Sequence, residues 1–543
     1  MTPKPPAATS ADPLAPLLSE ALTHEQAGRL AEMERCVRAA LAHIPDHPGA
    51  LFALARLGMR AHRFEAALDL AGQAMVRAPI APELHRLRGQ ALANLGRIED
   101  GIAALSKALE LAPGWIDAAL DLGQILLQAE RIPAMLTLLT PLDGPSSAHA
   151  EAHALRGRAL MVLGRLDEAT QAFTRAVAIA PGQSEIIADL ASLHIERDQP
   201  QAALDLMAPL LAASAPSSRL LYLAGVAQGM LGQDGKAEAS IVQVRRMLLA
   251  GLKQRGNLPV EVYVQLSRRC NLRCTMCGHG IWKDNTGFMA DEVFARVLAE
   301  CESLGISRMT ILAAQGEPFL HPRAFEMMAE AVARGMAVSV VTNGTPFTPE
   351  RIEKLARLGL ETLQFSFAGW DAPSYEGVYV GAKFERTLAN LKAIHTALKP
   401  TRTALIVKAV APDNSKDFVG RTRDFLTGIG IERINTVVPN NFAGTVEIGQ
   451  YWDKAGIWSY RNLDKHRRTV CRILMRAVGI YVDGSVTACG CYDANAALKI
   501  GDIMEDGLAA LRNGPRFTSI LDAFGAGDVS HIPLCAKCDD PFG

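Results

Sequence analysis

The sequence predicts a multidomain protein that joins an all-α region to an α/β region. Small residues recur every 34 positions in the N-terminal half, short β-rich runs alternate with helical runs in the middle, and cysteines gather in two groups. From these patterns we expect an N-terminal α-solenoid, a partial (βα)6 barrel and a small C-terminal α+β extension that binds metal. The length of 543 residues agrees, because one hydrophobic core rarely organises so long a chain.

The charge balance argues against several classes of partner. The chain has 56 basic and 57 acidic residues, a net charge of −1 and no basic run, so we expect neither nucleic acid nor an anionic membrane as a partner. No apolar stretch reaches the roughly 18 residues of a spanning helix, and residues 1–12 lack the apolar core of a secretion signal. We therefore expect a cytoplasmic protein with a disordered N-terminus over residues 1–13.

Residues 14–251 are predicted to form a stack of about seven helical hairpins. Seven small residues lie 34 positions apart inside apolar helical patterns, and they are Ala21, Ala55, Gly89, Gly123, Gly157, Ala191 and Gly225. Prolines follow four of them in a constant register, at Pro45, Pro79, Pro113 and Pro181. Antiparallel helices approach closely only at a small residue, so we expect Gly157 to face Ala169 and Pro181 to end the second helix.

This repeat period is the tetratricopeptide signature. This half of the chain resembles tetratricopeptide proteins, whose stacked helices form a curved groove. The resemblance implies that a peptide or a partner protein binds in the groove. The alternative is a stack that serves only as a spacer or as a dimerisation surface.

The middle third is predicted to be a parallel barrel similar to a TIM barrel. Six strands are expected, at Val260–Leu266, Arg308–Ala313, Ala337–Thr342, Thr362–Phe367, Ala404–Ala409 and Arg433–Val438. Polar motifs follow or end the first four strands, and they are the triplet Cys270, Cys274 and Cys277, then Gln315-Gly316-Glu317-Pro318, then Thr342-Asn343-Gly344, then Ser366. The carboxyl ends of the strands carry the chemistry in such barrels, so these motifs are expected to form one site.

The cysteine triplet has the spacing CxxxCxxC, which suits a 4Fe-4S cube held at three corners. A structural cluster or a zinc site takes four protein ligands, so a group of three leaves one iron open and favours a catalytic role. His279 is an alternative fourth ligand, although the glycines on either side of it are equally typical of a loop. Cys36 and Cys301 are expected to be small buried apolar residues.

Residues 258–445 resemble the radical S-adenosylmethionine (radical SAM) superfamily, on the triplet and the ordered Gly-Glu-Pro and Ser motifs. The resemblance implies a barrel domain over residues 252–446 that binds a 4Fe-4S cluster and S-adenosylmethionine. It assigns three roles to cofactor-binding residues: Met276 contacts adenine through its backbone, Gly316, Glu317 and Pro318 hold the methionine amino group, and Ser366 and Asn343 line the ribose side of the pocket. Family members often have Ser-x-Asp-Gly where this chain has Ser366-Phe367-Ala368-Gly369, so one acidic contact is missing.

A second metal group is predicted in residues 447–543. Cys471, Gly484 and Cys489 have the spacing C-x12-G-x4-C, and a later pair is formed by Cys535 and Cys538. Four thiolates fit a zinc ribbon by ligand count. The arrangement also resembles the SPASM extension or its shorter twitch relative, which implies one auxiliary 4Fe-4S cluster, with Cys491 as a possible substitute for Cys489.

The family resemblance implies that S-adenosylmethionine is cleaved reductively to a 5'-deoxyadenosyl radical, which takes hydrogen from a substrate C–H bond. It also implies an electron donor such as flavodoxin or ferredoxin. Three hypotheses follow: oxidative modification of a peptide or protein with help from the repeats, modification of a small molecule such as a sugar or an aminocyclitol, or an inactive barrel that serves as a scaffold. Six residues at strand ends are candidates for the pocket lining, namely Trp370, Tyr375, Tyr379, Lys408, Asn440 and Asn441, and Asp493 is a candidate proton acceptor. The catalytic residues cannot be assigned from the sequence.

Overall fold

The chain folds into two compact units, Met1–Ile186 and Ile187–Gly543. The computed structural model describes residues 14–61, 63–95, 97–129, 131–142, 148–213, 215–280, 287–312, 316–410, 416–431, 433–437, 470–490, 492–493 and 495–538. Within these ranges no helix is both long enough and apolar enough to cross a membrane.

The repeat region is entirely helical in its described part. Its helices are α1 (Ala15–Gln26), α2 (Leu30–His43), α3 (Pro48–Arg60), α4 (Phe64–Arg77), α5 (Pro82–Asn94), α6 (Ile98–Leu111), α7 (Ile116–Gln128), α8 (Ile132–Leu139), α9 (Ala150–Val162), α10 (Leu166–Ile179), α11 (Ser184–Glu196), α12 (Pro200–Leu211), α13 (Ser218–Met230) and α14 (Asp234–Gln254). Helices pack in consecutive pairs, as α1 does with α2, α3 with α4 and α13 with α14. This arrangement confirms the predicted helical repeats.

Prolines and glycines define the ends of these helices. Helix α2 ends at His43 and α10 ends at Ile179, each two residues before Pro45 or Pro181. A proline there cannot continue the helix, because it lacks the N–H that the next turn needs. Gly164 follows α9 with φ of +71°, a left-handed conformation that glycine adopts without steric cost.

The side chain nearest to Gly157 is the ring of Phe173. The predicted neighbour, Ala169, lies one helical turn earlier. A Cβ added at Gly157 would lie 2.8 Å from the ring carbons of Phe173, which is fully buried. Gly225 in α13 is covered in the same way by Ile241 of the following helix, α14. The small residue therefore makes room for a large side chain on the next helix. The sequence pattern predicts instead that two small residues face each other.

The second unit is built on one sheet of nine strands in its described part. The strands are β1 (Glu261–Val264), β2 (Arg308–Ile311), β3 (Ala337–Thr342), β4 (Thr362–Ser366), β5 (Ala404–Val410), β6 (Ile434–Val437), β7 (Ala477–Ile480), β8 (Ser485–Thr487) and β9 (Lys499–Asp502). Their spatial order is β6-β5-β4-β3-β2-β1-β7-β8-β9. Strands β1 to β6 are parallel, β7 joins β1 in parallel, and β8 and β9 are antiparallel. The predicted fold class is therefore confirmed, and the C-terminal extension continues the barrel sheet.

The strand boundaries agree with the predicted ones to within a few residues. Strand β3 has the predicted bounds, β5 extends by one residue to Val410, and β1 is shorter at both ends. Val438, the predicted end of the sixth strand, lies outside the described residues.

Helices cover the sheet between its strands and after β6. They are α15 (Asp291–Leu304), α16 (Ala324–Ala333), α17 (Pro349–Arg357), α18 (Ala372–Glu376), α19 (Phe384–Leu398), α20 (Lys416–Gly428), α21 (Arg472–Arg476), α22 (Leu508–Asn513), α23 (Pro515–Ala526) and α24 (Pro533–Lys537). Alternate residues of β1, β2 and β4 are buried, which is the pattern of a strand with one face against helices and the other towards the barrel interior.

The last repeat helix, α14, shares a core with the C-terminal extension. Leu252 is fully buried in the cluster that contains the barrel strands and α23. Leu249 lies against Gly525, and the guanidinium of the buried Arg245 occupies the space beside Gly527 at the end of α23. The final repeat helix is thus part of the structural support of the second unit.

The glycine contact in α9 predicts opposite effects for two Gly→Ala substitutions. Gly157→Ala should lower the free energy of unfolding of the first unit by about 1–3 kcal/mol, because the new methyl group overlaps Phe173. Gly72→Ala in α4 is the matched control, since nothing lies within 4 Å of its added Cβ, and it should stabilise the helix by about 0.5–1 kcal/mol. Urea denaturation followed by far-UV circular dichroism measures both, and equal effects would contradict this packing.

Candidate active site

The cysteine triplet lies in a loop just after β1, held by backbone hydrogen bonds to a segment beyond α18. The N–H of Arg273 donates to the carbonyl of Val380 at 2.9 Å, and the N–H of Thr275 donates to Val378 at 3.0 Å. The three thiols are half-buried, and two of them pack against the apolar core. The loop is thereby fixed at the carboxyl edge of the sheet, where the sequence placed it.

Burial raises the pKa of all three thiols. It raises the pKa of Cys270 to about 11, and it also raises the pKa of Cys274 and of Cys277. The thiols are therefore protonated in the absence of iron, and binding of a cluster must release their protons.

His279 is not placed as a fourth ligand. Its Nε2 lies 2.9 Å from the carbonyl oxygen of Arg268, and its Nδ1 lies 3.4 Å from a guanidinium nitrogen of Arg273. Both ring nitrogens face partners in the protein, so the histidine supports the loop.

The carboxylate of Glu317 joins the loops that follow β2 and β3. It is fully buried and accepts hydrogen bonds from the Thr342 hydroxyl at 2.8 Å, the Asn343 N–H at 2.8 Å and the Phe319 N–H at 3.2 Å. The backbone N–H of Glu317 donates to the carbonyl of Arg269, next to the first cysteine, at 2.8 Å. Burial raises the pKa of Glu317 to about 7, an effect that the three donors oppose. The Glu317 side chain therefore has no exposed surface and links the two loops.

Two glycines permit the close approach of these loops. A Cβ at Gly316 would overlap the backbone of Ser267, and a Cβ at Gly344 would overlap the ring of Phe365. Gly344 also has φ of +74°, which favours glycine. Pro318 is buried and begins a short 3-10 turn. Gln315 lies outside the described residues.

Asn343 lies directly beside the first cysteine. Its Nδ2 is 3.8 Å from the sulfur of Cys270 and 3.1 Å from Oδ1 of Asn271. The sequence placed Asn343 in the pocket for S-adenosylmethionine, but the contact with the thiol was not foreseen. Met276 is half-buried and packs against the core.

Ser366 ends β4 on the half-exposed face of the sheet, opposite Lys408 of β5 in the strand register. Ala368 occupies the position at which family members often have an acidic residue, and it is buried. The following loop is held by the Gly369 N–H, which donates to the Thr422 hydroxyl at 3.1 Å. Ser366 and Lys408 are therefore two adjacent polar groups at the carboxyl edge.

Most aromatic candidates for the pocket lining have a packing role. Tyr375 and Tyr379 are almost fully buried, with their rings stacked 4.8 Å apart, and Tyr375 also stacks on Phe367. Trp370 packs under the guanidinium of Arg421 at 3.8 Å. Asn440 and Asn441 lie outside the described residues.

The four predicted C-terminal ligands line one cavity. Cys471, Cys489, Cys535 and Cys538 line a small cavity of about 30 Å³, with apolar neighbours such as Phe524. Burial is the main cause that raises the pKa of Cys535 to about 12. Cys491 lies outside the described residues, so the choice between it and Cys489 remains a prediction.

The two cysteine groups come from opposite ends of the pair β1 and β7. Cys471 precedes β7, which is parallel to β1, whereas the triplet follows the end of β1. A Cβ at Gly490, next to Cys489, would overlap the ring of Tyr263 in β1. The auxiliary site is thus fixed directly on the first barrel strand, a contact that no sequence motif indicated.

Asp493 has a structural role in the loop that carries Cys489. Its carboxylate is fully buried and accepts hydrogen bonds from the Thr487 hydroxyl at 2.6 Å, the Ala497 N–H at 2.6 Å and the Leu498 N–H at 2.7 Å. Both oxygens are occupied, which argues against the suggested role as a proton acceptor.

The described geometry places one group of cysteines in the loop after β1 and a second group around a cavity of the C-terminal extension. Residues 264–409 match the Radical SAM superfamily, and residues 471–539 match the iron-sulfur cluster-binding domain named SPASM. Tetratricopeptide repeat models match residues 59–114 and 160–226. The chain therefore contains a domain of the Radical SAM superfamily, which covers residues 264–409. Its domains imply a 4Fe-4S cluster with S-adenosylmethionine in the barrel and auxiliary iron-sulfur binding at the C-terminus.

Three known proteins illustrate the similarity. The tungsten-containing aldehyde ferredoxin oxidoreductase cofactor-modifying protein of Pyrococcus furiosus is 38% identical over 105 residues, 19% of this chain and 30% of that protein. The PqqA peptide cyclase of Ruegeria pomeroyi is 26% identical over 179 residues, 32% of this chain and 46% of that protein. The crystal structure of Streptococcus suis SuiB bound to precursor peptide SuiA aligns with a TM-score of 0.41 and 14% identity, over 62% of this chain and 83% of that one. The chain spans less than half the length of the two curated relatives.

The buried carboxylate predicts that Glu317→Gln weakens the barrel site. An amide retains the shape of the carboxylate but turns one acceptor into a donor, so a backbone N–H is left unpaired at a cost of about 1–3 kcal/mol. We expect the iron content to fall from about eight towards about four per chain. Iron analysis after anaerobic reconstitution measures the change. Glu326→Gln, at an exposed position on α16, is the control, and equal iron in both variants would contradict the role of Glu317.

The cavity lined by four cysteines predicts that Cys535→Ala removes one cluster. Iron should fall from about eight to about four per chain, since three thiolates from a split site hold a cube poorly. Cys36→Ala, which changes a cysteine outside both groups, should leave the iron content unchanged. One zinc ion per chain in the unsubstituted protein would contradict the assignment of an auxiliary cluster.

Proposed function

We propose that this chain is a radical SAM enzyme that oxidatively modifies a peptide or protein, which it binds with help from the repeats. The proposal is supported by the cysteine triplet after β1, whose loop accepts a hydrogen bond from the backbone of the buried Glu317, in a domain that matches the Radical SAM superfamily. When bound there, the cluster and S-adenosylmethionine supply a 5'-deoxyadenosyl radical that takes hydrogen from a C–H bond. An external donor such as flavodoxin or ferredoxin supplies the electron.

The residues of the barrel bind and orient the cofactors. Cys270, Cys274 and Cys277 would hold three irons and leave the fourth for the amino and carboxylate groups of S-adenosylmethionine. The backbone of residues 316–318 would bind the amino group, because the Glu317 side chain is already fully hydrogen-bonded. Ser366 would contact the ribose from the half-exposed face of β4, and the backbone at Met276 would contact adenine.

The C-terminal domain is suited to electron transfer. Cys471, Cys489, Cys535 and Cys538 would occupy all four corners of one auxiliary cluster, so this cluster has no free corner for S-adenosylmethionine. We therefore expect it to exchange electrons with the substrate, which favours an oxidative net reaction such as dehydrogenation or cross-linking.

Three observations bear on the class of substrate. The tetratricopeptide repeats and the similarity to a protein named as a peptide cyclase favour a peptide or protein. The similarity to a protein named as cofactor-modifying favours the second candidate, a small molecule. For this second candidate function, the substrate would be a sugar or an aminocyclitol.

Cleavage of S-adenosylmethionine tests the first step of the proposal. Reconstituted protein with dithionite should release 5'-deoxyadenosine, Cys274→Ala should release none, and Cys36→Ala should behave like the unsubstituted protein. Anaerobic incubation and liquid chromatography measure the product. Absence of 5'-deoxyadenosine from the protein with both clusters would contradict an active enzyme and favour a scaffold.

Mass spectrometry separates the two substrate classes. A short peptide encoded beside the gene should lose two hydrogens per turnover and should require residues 14–251 for efficient modification. Turnover of a sugar or aminocyclitol with no effect on any neighbouring peptide would contradict the peptide proposal while leaving the radical chemistry intact.

A further inference from the structure

We propose that Asn343 is a positioning residue that sets the reduction potential of the barrel cluster, by donating a hydrogen bond to the Cys270 sulfur. The inference rests on the proposed function, because it needs the cluster at the triplet. It adds a residue that acts on the cluster itself, whereas the sequence assigned Asn343 only to the pocket for S-adenosylmethionine.

The orientation of the Asn343 amide follows from its neighbours. The backbone N–H of Thr345 lies 3.0 Å from Oδ1 of Asn343, and a backbone N–H can only donate. The Thr345 hydroxyl lies 2.6 Å from the same oxygen. The atom that faces Thr345 is therefore the oxygen, and the amide nitrogen faces the opposite way.

The amide nitrogen has two hydrogens and two acceptors. One acceptor is Oδ1 of Asn271 at 3.1 Å, and the other is the sulfur of Cys270 at 3.8 Å. Asn271 is itself fixed, since its Nδ2 donates to the Thr345 hydroxyl at 2.7 Å. These three polar residues form a closed set of hydrogen bonds, and one N–H of Asn343 is directed at the thiol.

The position of Asn343 is fixed from the backbone as well. Its N–H donates to the buried carboxylate of Glu317, and the following turn is held by Asn390, whose Nδ2 donates to the Gly344 carbonyl at 2.9 Å. Among the described residues, Asn343 is the side chain that donates to a thiol of the triplet. The interaction is therefore built into the site and does not depend on a mobile side chain.

The sign of the effect follows from electrostatics. Reduction adds one negative charge to the cluster, and a hydrogen bond to a ligating sulfur stabilises the more negative state. Removal of the donor should make the cluster harder to reduce. In the unsubstituted protein, Thr345 donates two hydrogen bonds to the carbonyl oxygen of Asn343. The amide is therefore not expected to flip and turn this oxygen towards the sulfur.

The test is a redox titration of the reduced barrel cluster by electron paramagnetic resonance. The barrel signal is identified as the one that changes when S-adenosylmethionine is added to a separate sample. Asn343→Leu should lower the equilibrium constant for reduction about tenfold, or about 59 mV for one electron. Asn343→Asp keeps the acceptor for Thr345 but replaces the donor with a negative charge, so its shift should have the same sign and be larger.

Two matched controls separate the hydrogen bond from distortion of the loop. Asn390→Ala loosens the same turn without removing the donor to Cys270, so it should leave the potential unchanged. Asn271→Ala removes the competing acceptor and should not lower the potential.

The proposal is overturned if Asn343→Leu and Asn343→Asp leave the potential unchanged or raise it, or if Asn390→Ala lowers it equally. If the barrel cluster forms normally and the potentials behave in this way, only the inference about Asn343 is contradicted. If the unsubstituted protein binds no cluster at the triplet, both the proposed function and this inference are contradicted.

Discussion

The buried carboxylate of Glu317 is the interaction on which the barrel site depends. An acidic group without exposed surface is costly unless its oxygens are paired, and here three donors from two loops satisfy it. The backbone N–H of the same residue holds the carbonyl of Arg269, immediately before the first cysteine. One residue therefore fixes the separation of the loops after β1, β2 and β3, and Asn343 reaches Cys270 because of it.

A continuous sheet relates the two cysteine groups. Strand β7 pairs with β1, so the C-terminal extension is built on the edge of the barrel rather than attached by a linker. Gly490 fits between Tyr263 and Gly479 only because it has no side chain, which brings the backbone beside Cys489 onto the first barrel strand. Hydrogen-bonded strands change their spacing little, so the two metal groups are held at a fixed separation. Under the proposed function, a fixed separation suits electron exchange between a substrate in the barrel and an auxiliary cluster.

Much of this arrangement could be predicted from the sequence, because the signals are local. The regular spacing of small residues located the helical hairpins, and the order of polar motifs at strand ends located the triplet, Gly316 and Asn343. Contacts between distant segments could not be predicted in this way. Strand β7 is only four residues long, and nothing in its composition specifies β1 as its partner. The motif containing Glu317 suggested contact with a ligand, whereas the hydrogen bonds to Thr342 and Asn343 arise only when two loops meet. Tyr375 was a candidate for the pocket because it follows β4, but its burial in an aromatic stack depends on the packing of α18.

We expect the barrel cluster to have one open iron and the auxiliary cluster to have none. Electron paramagnetic resonance of the dithionite-reduced protein, with and without S-adenosylmethionine, tests this most directly. Two overlapping signals of 4Fe-4S type are expected, of which one changes on addition of S-adenosylmethionine while the other stays constant. A spectrum that does not respond, or a response that persists in a Cys270→Ala variant, would contradict it.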